Sequence, residues 1–210
     1  GFKFPQNFNS PYAALTIRDF WRRWHMTLSR WLRDYLYISL GGNRKGEGRT
    51  LINLMLTMLL GGLWHGAAWN FVIWGALHGF YLAAERYVFE QLNWYKNIPW
   101  WGKVVQWALT MHLVCLAWVF FRAESFSLAW SLLSQIFTDG RWAIALAIPS
   151  QGIWLIPALL IAQCLFAYYD WRSKINSTGA WAYVAMVSLI GVARMLFAPD
   201  TSAPFIYFQF

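Results

Sequence analysis

Arg49 to Phe89 reads RTLINLMLTMLLGGLWHGAAWNFVIWGALHGFYLAAERYVF, and from Leu51 to Ala84 it holds no Asp, Glu, Lys or Arg. Those 34 residues would run about 51 Å as one helix at 1.5 Å per residue. A hydrocarbon core is only about 30 Å thick. One straight spanning helix therefore does not fit. Gly61, Gly62 and Gly66 offer a break, and the pattern predicts two helices that meet near His65. His65 follows Arg49 by about 24 Å of helix, which places it well inside a bilayer if the first helix enters steeply. A side chain that carries a proton is costly at that depth and marks a pathway or a site.

Bulk composition agrees with a membrane setting. Hydrophobic residues make up 59% of the 210 residues and charged residues 12%, against about 25% charged in a soluble domain. Aromatics reach 20% and suit the bilayer interfaces. The net charge is +8, and the stretch Arg18–Arg49 supplies +5 of it, from eight basic and three acidic residues. Basic residues beside spanning helices mark a cytoplasmic face and anionic headgroups, so nucleic acid is not the expected partner. Cys115 and Cys164 each sit in an apolar run with no metal-ligand or CxxC spacing, and read as small buried hydrophobes. The chain opens on GFKFPQNFNSPY without Met or a signal segment. It reads as the C-terminal portion of a longer protein, one domain over residues 1–210 with an N-terminal half absent.

Taken in order, residues 1–12 read as a surface loop. Thr16 is placed to cap a helix that begins at Ile17, with Asp19 completing a loose capping box. From Ile17 to Ile38, Phe20, Trp24, Leu28, Trp31 and Tyr35 recur at helical steps while the arginines fall elsewhere. This is the pattern of an interfacial amphipathic helix. Gly41 to Gly48 is a turn-rich basic loop, and Glu85 to Lys103 a loop with short helix. Val104–Phe121, Gly152–Tyr169 and Ala180–Ala198 are spanning candidates; Ser125–Phe137 is amphipathic and shorter. Asp139-Gly140-Arg141 is a turn, and Trp142–Ile148 is too short to span. The expected class is all-α: a polytopic transmembrane protein with four or five spanning helices and interfacial or re-entrant pieces.

Four histidines are present: His25, His65, His78 and His112. His78 and His112 read as buried neutral imidazoles of the core. His78 lies 13 residues past His65 and need not share its site. His65, with its glycines and tryptophan, is the first candidate for chemistry, and His25 the second. Histidines without nearby acids suit acyl transfer, since an imidazole accepts a proton from a hydroxyl as it attacks an acyl carbonyl. No HxxxH or HExxH supports a metal, and no GxSxG supports a serine acyl-enzyme.

Several blocks then carry a family likeness. The segment from Asp19 to Ile38 (DFWRRWHMTLSRWLRDYLYI), Leu40-Gly41-Gly42-Asn43-Arg44, Gly62-Leu63-Trp64-His65-Gly66, Trp118–Ala123 and the closing Phe205–Phe210 resemble the membrane-bound O-acyltransferase (MBOAT) family, most of all its alginate O-acetyltransferase branch. The resemblance covers essentially the whole chain and implies a helical membrane body with a funnel from each side, meeting at a histidine. His65 maps to the essential histidine of the WHG block. His25 maps to a histidine near the same tunnel. The family takes an acyl group from a cytoplasmic thioester, such as acetyl-CoA, with no tightly bound cofactor and no metal. Arg22, Arg23, Arg30 and Arg33 are the donor-side basic residues this implies.

The same likeness implies a multi-pass protein of the bacterial inner membrane. Its acetyl group would reach hydroxyls of an exported polysaccharide, with periplasmic acetylation partner proteins. The alternatives are D-alanyl transfer to teichoic acid and a non-catalytic scaffold or channel. The loop between the His25 and His65 helices is short and Gly-rich here, where the D-alanyl branch carries a longer insertion that helps dock its carrier protein. This departure favours acetyl transfer. Inverted repeats, which a transporter would show, are not evident.

Overall fold

The computed structural model describes residues 4–92, 98–138 and 155–168, with short pieces at 179, 184–185, 187–189 and 191–192. Every regular element among these residues is helical. The chain divides into two units, residues 1–164 and 165–210.

The charge-free stretch folds as two helices, α3 (Glu47–His65) and α4 (Trp69–Leu92). The break falls at Gly66 rather than at Gly61-Gly62. Gly66 adopts extended backbone and its N–H bonds the Leu63 carbonyl at 3.2 Å. Gly61 and Gly62 stay inside α3 because the hairpin needs them there. A Cβ on Gly62 would strike the Phe71 carbonyl and Gly75, and one on Gly75 would strike the Met58 carbonyl. The two backbones therefore touch, which only glycine permits.

One expectation about the end of this hairpin is corrected. α4 does not stop at Ala84 but continues through Glu85 and Arg86 to Leu92. Both charges have partners that keep them on a helix. Arg86 Nε and Nη2 donate to the Glu47 carboxylate at 2.9 Å each, tying α4 to the start of α3. The Glu85 carboxylate accepts the Ile17 N–H at 2.6 Å and the Arg18 N–H at 3.2 Å. Glu85 thus caps the first α-helix from outside, where orphan N–H groups favour an anion.

That helix is α1 (Ile17–Arg23), and Thr16 caps it as expected, accepting the Asp19 N–H at 3.0 Å. The Asp19 carboxylate goes to Arg23 instead of back to Thr16. A continuous helix to Ile38 is not what forms. The chain breaks at Trp24 and His25, resumes as α2 (Met26–Trp31), and passes into a π-helical turn over Leu32–Tyr37. The opening loop supplies the reason. Asn9 N–H donates to the Arg23 carbonyl at 2.9 Å, Met26 N–H to the Asn7 carbonyl at 2.8 Å, and Asn7 Oδ1 accepts from Thr27. The loop takes over the backbone groups that the helix gives up.

α5 (Trp100–Arg122) packs against α4. Among the described residues it is the helix long and apolar enough to cross a membrane. Trp107 Nε1 donates to the Tyr12 carbonyl at 2.7 Å and Thr110 Oγ1 to that of Leu15 at 2.8 Å, which ties α5 to the segment leading into α1. The core lies between α1 and α5: Ala14, Ile17, Phe20 and Val114, ringed by Trp21, Trp24 and Trp118. α6 (Phe126–Thr138) covers the expected amphipathic segment.

Cys115 and Cys164 are exposed rather than buried. They lie on helix surfaces rather than in a protein core. His112 is likewise not in the core; its Nδ1 lies 2.7 Å from the Ala108 carbonyl, one turn back along α5.

α7 (Leu155–Tyr168) falls within the expected span Gly152–Tyr169. Of the second unit, the described pieces of Ala180–Ala198 are helical. The expected turn at Asp139–Arg141, the segment Trp142–Ile148 and the closing Phe205–Phe210 block lie outside the described residues.

Candidate active site

His65 is the last residue of α3, and extended Gly66 turns the chain away immediately after it. The imidazole is 8% exposed. Trp64, Trp74 and Phe121 stand edge-on to it, with ring centroids 5.0, 5.3 and 5.0 Å away. Phe71 closes the box at 6.3 Å. α4 supplies Phe71 and Trp74, and α5 supplies Phe121. Asn70 fixes their register by donating from Nδ2 to the Ala123 carbonyl at 2.7 Å. A titratable ring thus sits at a helix break, inside aromatic walls.

His25 sits at the other break, in left-handed backbone between α1 and α2 with φ 44°. Its ring lies 6.3 Å from that of Phe8 in the opening loop. His78 is fully buried, as expected, and its Nδ1 accepts the Trp21 indole N–H at 3.3 Å. It comes nearer the site than its spacing suggested, because Trp74 lies between it and His65, 4.9 Å from the one and 5.3 Å from the other.

Beside this box lies a cavity of about 510 Å³. Five arginines line it: Arg18 and Arg22 from α1, Arg30 from α2, Arg33 from the π-helical turn and Arg86 from α4. Its apolar floor includes Trp21, Leu54 and Met58. Arg22, Arg30 and Arg33 are thus brought together as the sequence suggested. Arg23 is not: Asp19 holds its Nε at 2.9 Å and it faces the Asn9 carbonyl.

Sequence reasoning missed Arg18 and Arg86. Arg18 and Arg22 stand four apart, and Arg30 and Arg33 three apart, a stripe visible at helical spacing. Arg86 was hidden by reading Glu85 onward as loop. Arg22 and Arg30 form no ion pair among the described residues. On the exposed rim Arg33 donates to Asp34 at 2.7 Å, and that bond holds the Asp34 carboxyl below its usual range.

Trp21 joins the two features. It lines the cavity, and its ring packs 5.7 Å from Trp74, which packs on His65. Two steps of aromatic packing, Trp21 then Trp74, thus link the arginine cavity to the imidazole.

Residues 1–122 match the model of MBOAT, the membrane-bound O-acyltransferase family, and the chain belongs to that family. It is 41% identical over its whole length to the probable alginate O-acetylase AlgI of Pseudomonas putida, covering 47% of that protein. It is 52% identical to the peptidoglycan O-acetyltransferase of Helicobacter pylori, over 62% of this chain and 24% of that one. The teichoic acid D-alanyltransferase of Bacillus subtilis is 33% identical over 60% of this chain and 34% of that one. The chain spans about half the length of the curated AlgI relatives it matches across its whole length.

Proposed function

We propose that the chain is part of a membrane O-acetyltransferase that moves an acetyl group from a cytoplasmic thioester donor towards hydroxyls of an exported polysaccharide. The observation that carries this reading is His65: a buried imidazole at a helix break, linked through Trp74 and Trp21 to a five-arginine cavity. The identity to proteins named for O-acetylation of alginate and peptidoglycan supports the acetyl group and a polymer acceptor.

In this reading the acceptor hydroxyl gives its proton to His65 as its oxygen attacks the thioester carbonyl carbon. The C–S bond then breaks, and the proton passes to the departing thiolate. His25 supports the site's geometry from the second helix break. The arginine cavity holds the donor's anionic portion, since guanidinium groups match phosphate geometry. Acetyl-CoA is a donor of that chemistry. Periplasmic partner proteins carry the acetyl group on to the polymer, and the chain lies in the inner membrane as a multi-pass body. Its Arg18–Arg49 stretch faces the cytoplasm. A cysteine at Gly46, in otherwise cysteine-free protein, should label from that side; labelling only from the periplasm contradicts the topology.

General-base help is worth about 10²–10⁴-fold in rate. His65→Ala in the full-length protein should therefore nearly abolish acetyl groups on exported polymer at normal protein level. His65→Gln should do the same, since it keeps hydrogen bonding without shuttling a proton. Wild-type acetylation by His65→Ala would leave a scaffold as the reading. The B. subtilis likeness raises D-alanyl transfer as a second reading; amino-acid analysis of the esters released by mild base separates the two.

A further inference from the structure

Among the described residues, five buried side-chain polar atoms have no hydrogen-bond partner: His25 Nδ1, Asn53 Oδ1, Trp74 Nε1, His78 Nε2 and Gln163 Oε1. Asn53 and His78 are each engaged through their other polar atom, Asn53 to the Gly42 carbonyl and His78 to Trp21. Trp74 has no second atom to use. Indole is a donor only, through one N–H. The ring is 4% exposed and packs edge-on against His65. Ring packing alone does not require that proton, since phenylalanine packs as well without it. A buried indole N–H normally finds an acceptor.

We propose that the Trp74 indole N–H is a catalytic hydrogen-bond donor to the acyl carbonyl oxygen. The inference rests on the acyl-transfer reading of His65. When the hydroxyl oxygen adds to the carbonyl carbon, the C=O pair moves onto oxygen and its charge becomes negative. That oxygen is bonded to a carbon which must lie beside His65. The Trp74 ring stands beside that place, edge-on to the imidazole at 5.3 Å, with its N–H buried and without a partner among the described residues. Its bond to the oxyanion is stronger than its bond to the neutral thioester, and only that difference accelerates the reaction. Collapse of the oxyanion re-forms C=O and expels the thiolate, which takes the proton held by His65. No other reactant is needed.

The test uses the full-length protein in membranes, with Trp74→Phe and Trp74→3-benzothienylalanine. The second replacement keeps the bicyclic shape and exchanges N–H for sulfur. Thiol release from acetyl-CoA is the kinetic probe, and polymer acetylation per unit of protein is the cellular one. Both variants should lose about 10²–10³-fold in kcat, the range for one oxyanion donor, with KM within about twofold, as for an interaction made only in the transition state. Wild-type kcat or wild-type polymer acetylation for the sulfur isostere, with His65→Ala inactive, overturns this inference and leaves the acyl-transfer reading intact. Full activity of His65→Ala overturns both.

Discussion

Gly62→Ala should damage this protein more than a methyl added at either of two other glycines of α3. The methyl carbon would meet the Phe71 carbonyl oxygen, with the Phe71 carbonyl carbon at 3.1 Å and Gly75 Cα at 3.3 Å. Every one of these atoms is backbone, so no side chain can swing aside. Restoring ordinary contact requires α3 and α4 to part by about 1 Å. Overpacking costs about 1–3 kcal/mol, and a backbone-on-backbone clash belongs near the top of that range. His65 lies three residues further along α3 and moves with it; a 1 Å misplacement at a reacting centre costs about 10²-fold in rate. Two controls bracket the effect. Gly61→Ala meets only the flexible end of Leu32, at 3.1 Å, and should cost less than about 1 kcal/mol. Gly48→Ala meets nothing within 4 Å and should be neutral or gain up to about 1 kcal/mol of helix propensity. The measurements are the temperature at which detergent-solubilised full-length protein loses its monodisperse peak, and polymer acetylation per unit of protein. Gly62→Ala matching Gly48→Ala in both would refute the close backbone approach.

Arg22→Gln and Arg30→Gln should raise the half-saturating concentration of acetyl-CoA while leaving kcat nearly unchanged, because they line the cavity without ion-pair partners among the described residues. Arg23→Gln should leave that concentration unchanged, since Asp19 occupies its guanidinium; an equal rise for all three would detach donor binding from the cavity. Glu85→Gln weakens the external cap of α1, a loss of about 0.5–2 kcal/mol by analogy with helix caps. It should also raise the donor concentration needed, because α1 carries Arg18 and Arg22; a purely thermal effect would show that α1 keeps its place without Glu85.

Most helices were legible because apolar length and charge-free runs speak directly in sequence. The hairpin over residues 49–89 and the long α5 follow from that alone. The break near His65 was legible too, but not which of the three glycines makes it, since a glycine that opens a helix and one that lets two helices touch look the same in a string. Gly66 does the first and Gly62 the second, and only the opposing Phe71 carbonyl tells them apart. The interruption at His25 was hidden for a different reason. Its partners are Asn7 and Asn9, in a loop whose backbone bonds have no periodicity. Glu85 and Arg86 read as a loop because two adjacent charges after an apolar run suggest an exit to water. Their partners, the α1 amides and Glu47, lie 67 or more and 39 residues away. Of the candidate site, His65 at its helix break and three of the four named arginines were visible, whereas the link through Trp21 and Trp74 required tertiary packing.

The left-handed backbone at His25 carries a consequence for variation. A non-glycine residue there bears strain on the order of 1–3 kcal/mol, and asparagine accommodates the conformation more easily. A single base change converts a histidine codon to an asparagine codon. An asparagine at this position would relax the backbone while removing an imidazole that the proposed reaction uses. Selection for robustness alone would drift toward the asparagine, and only selection for turnover would hold the histidine. Stability and activity pull in opposite directions at this one residue.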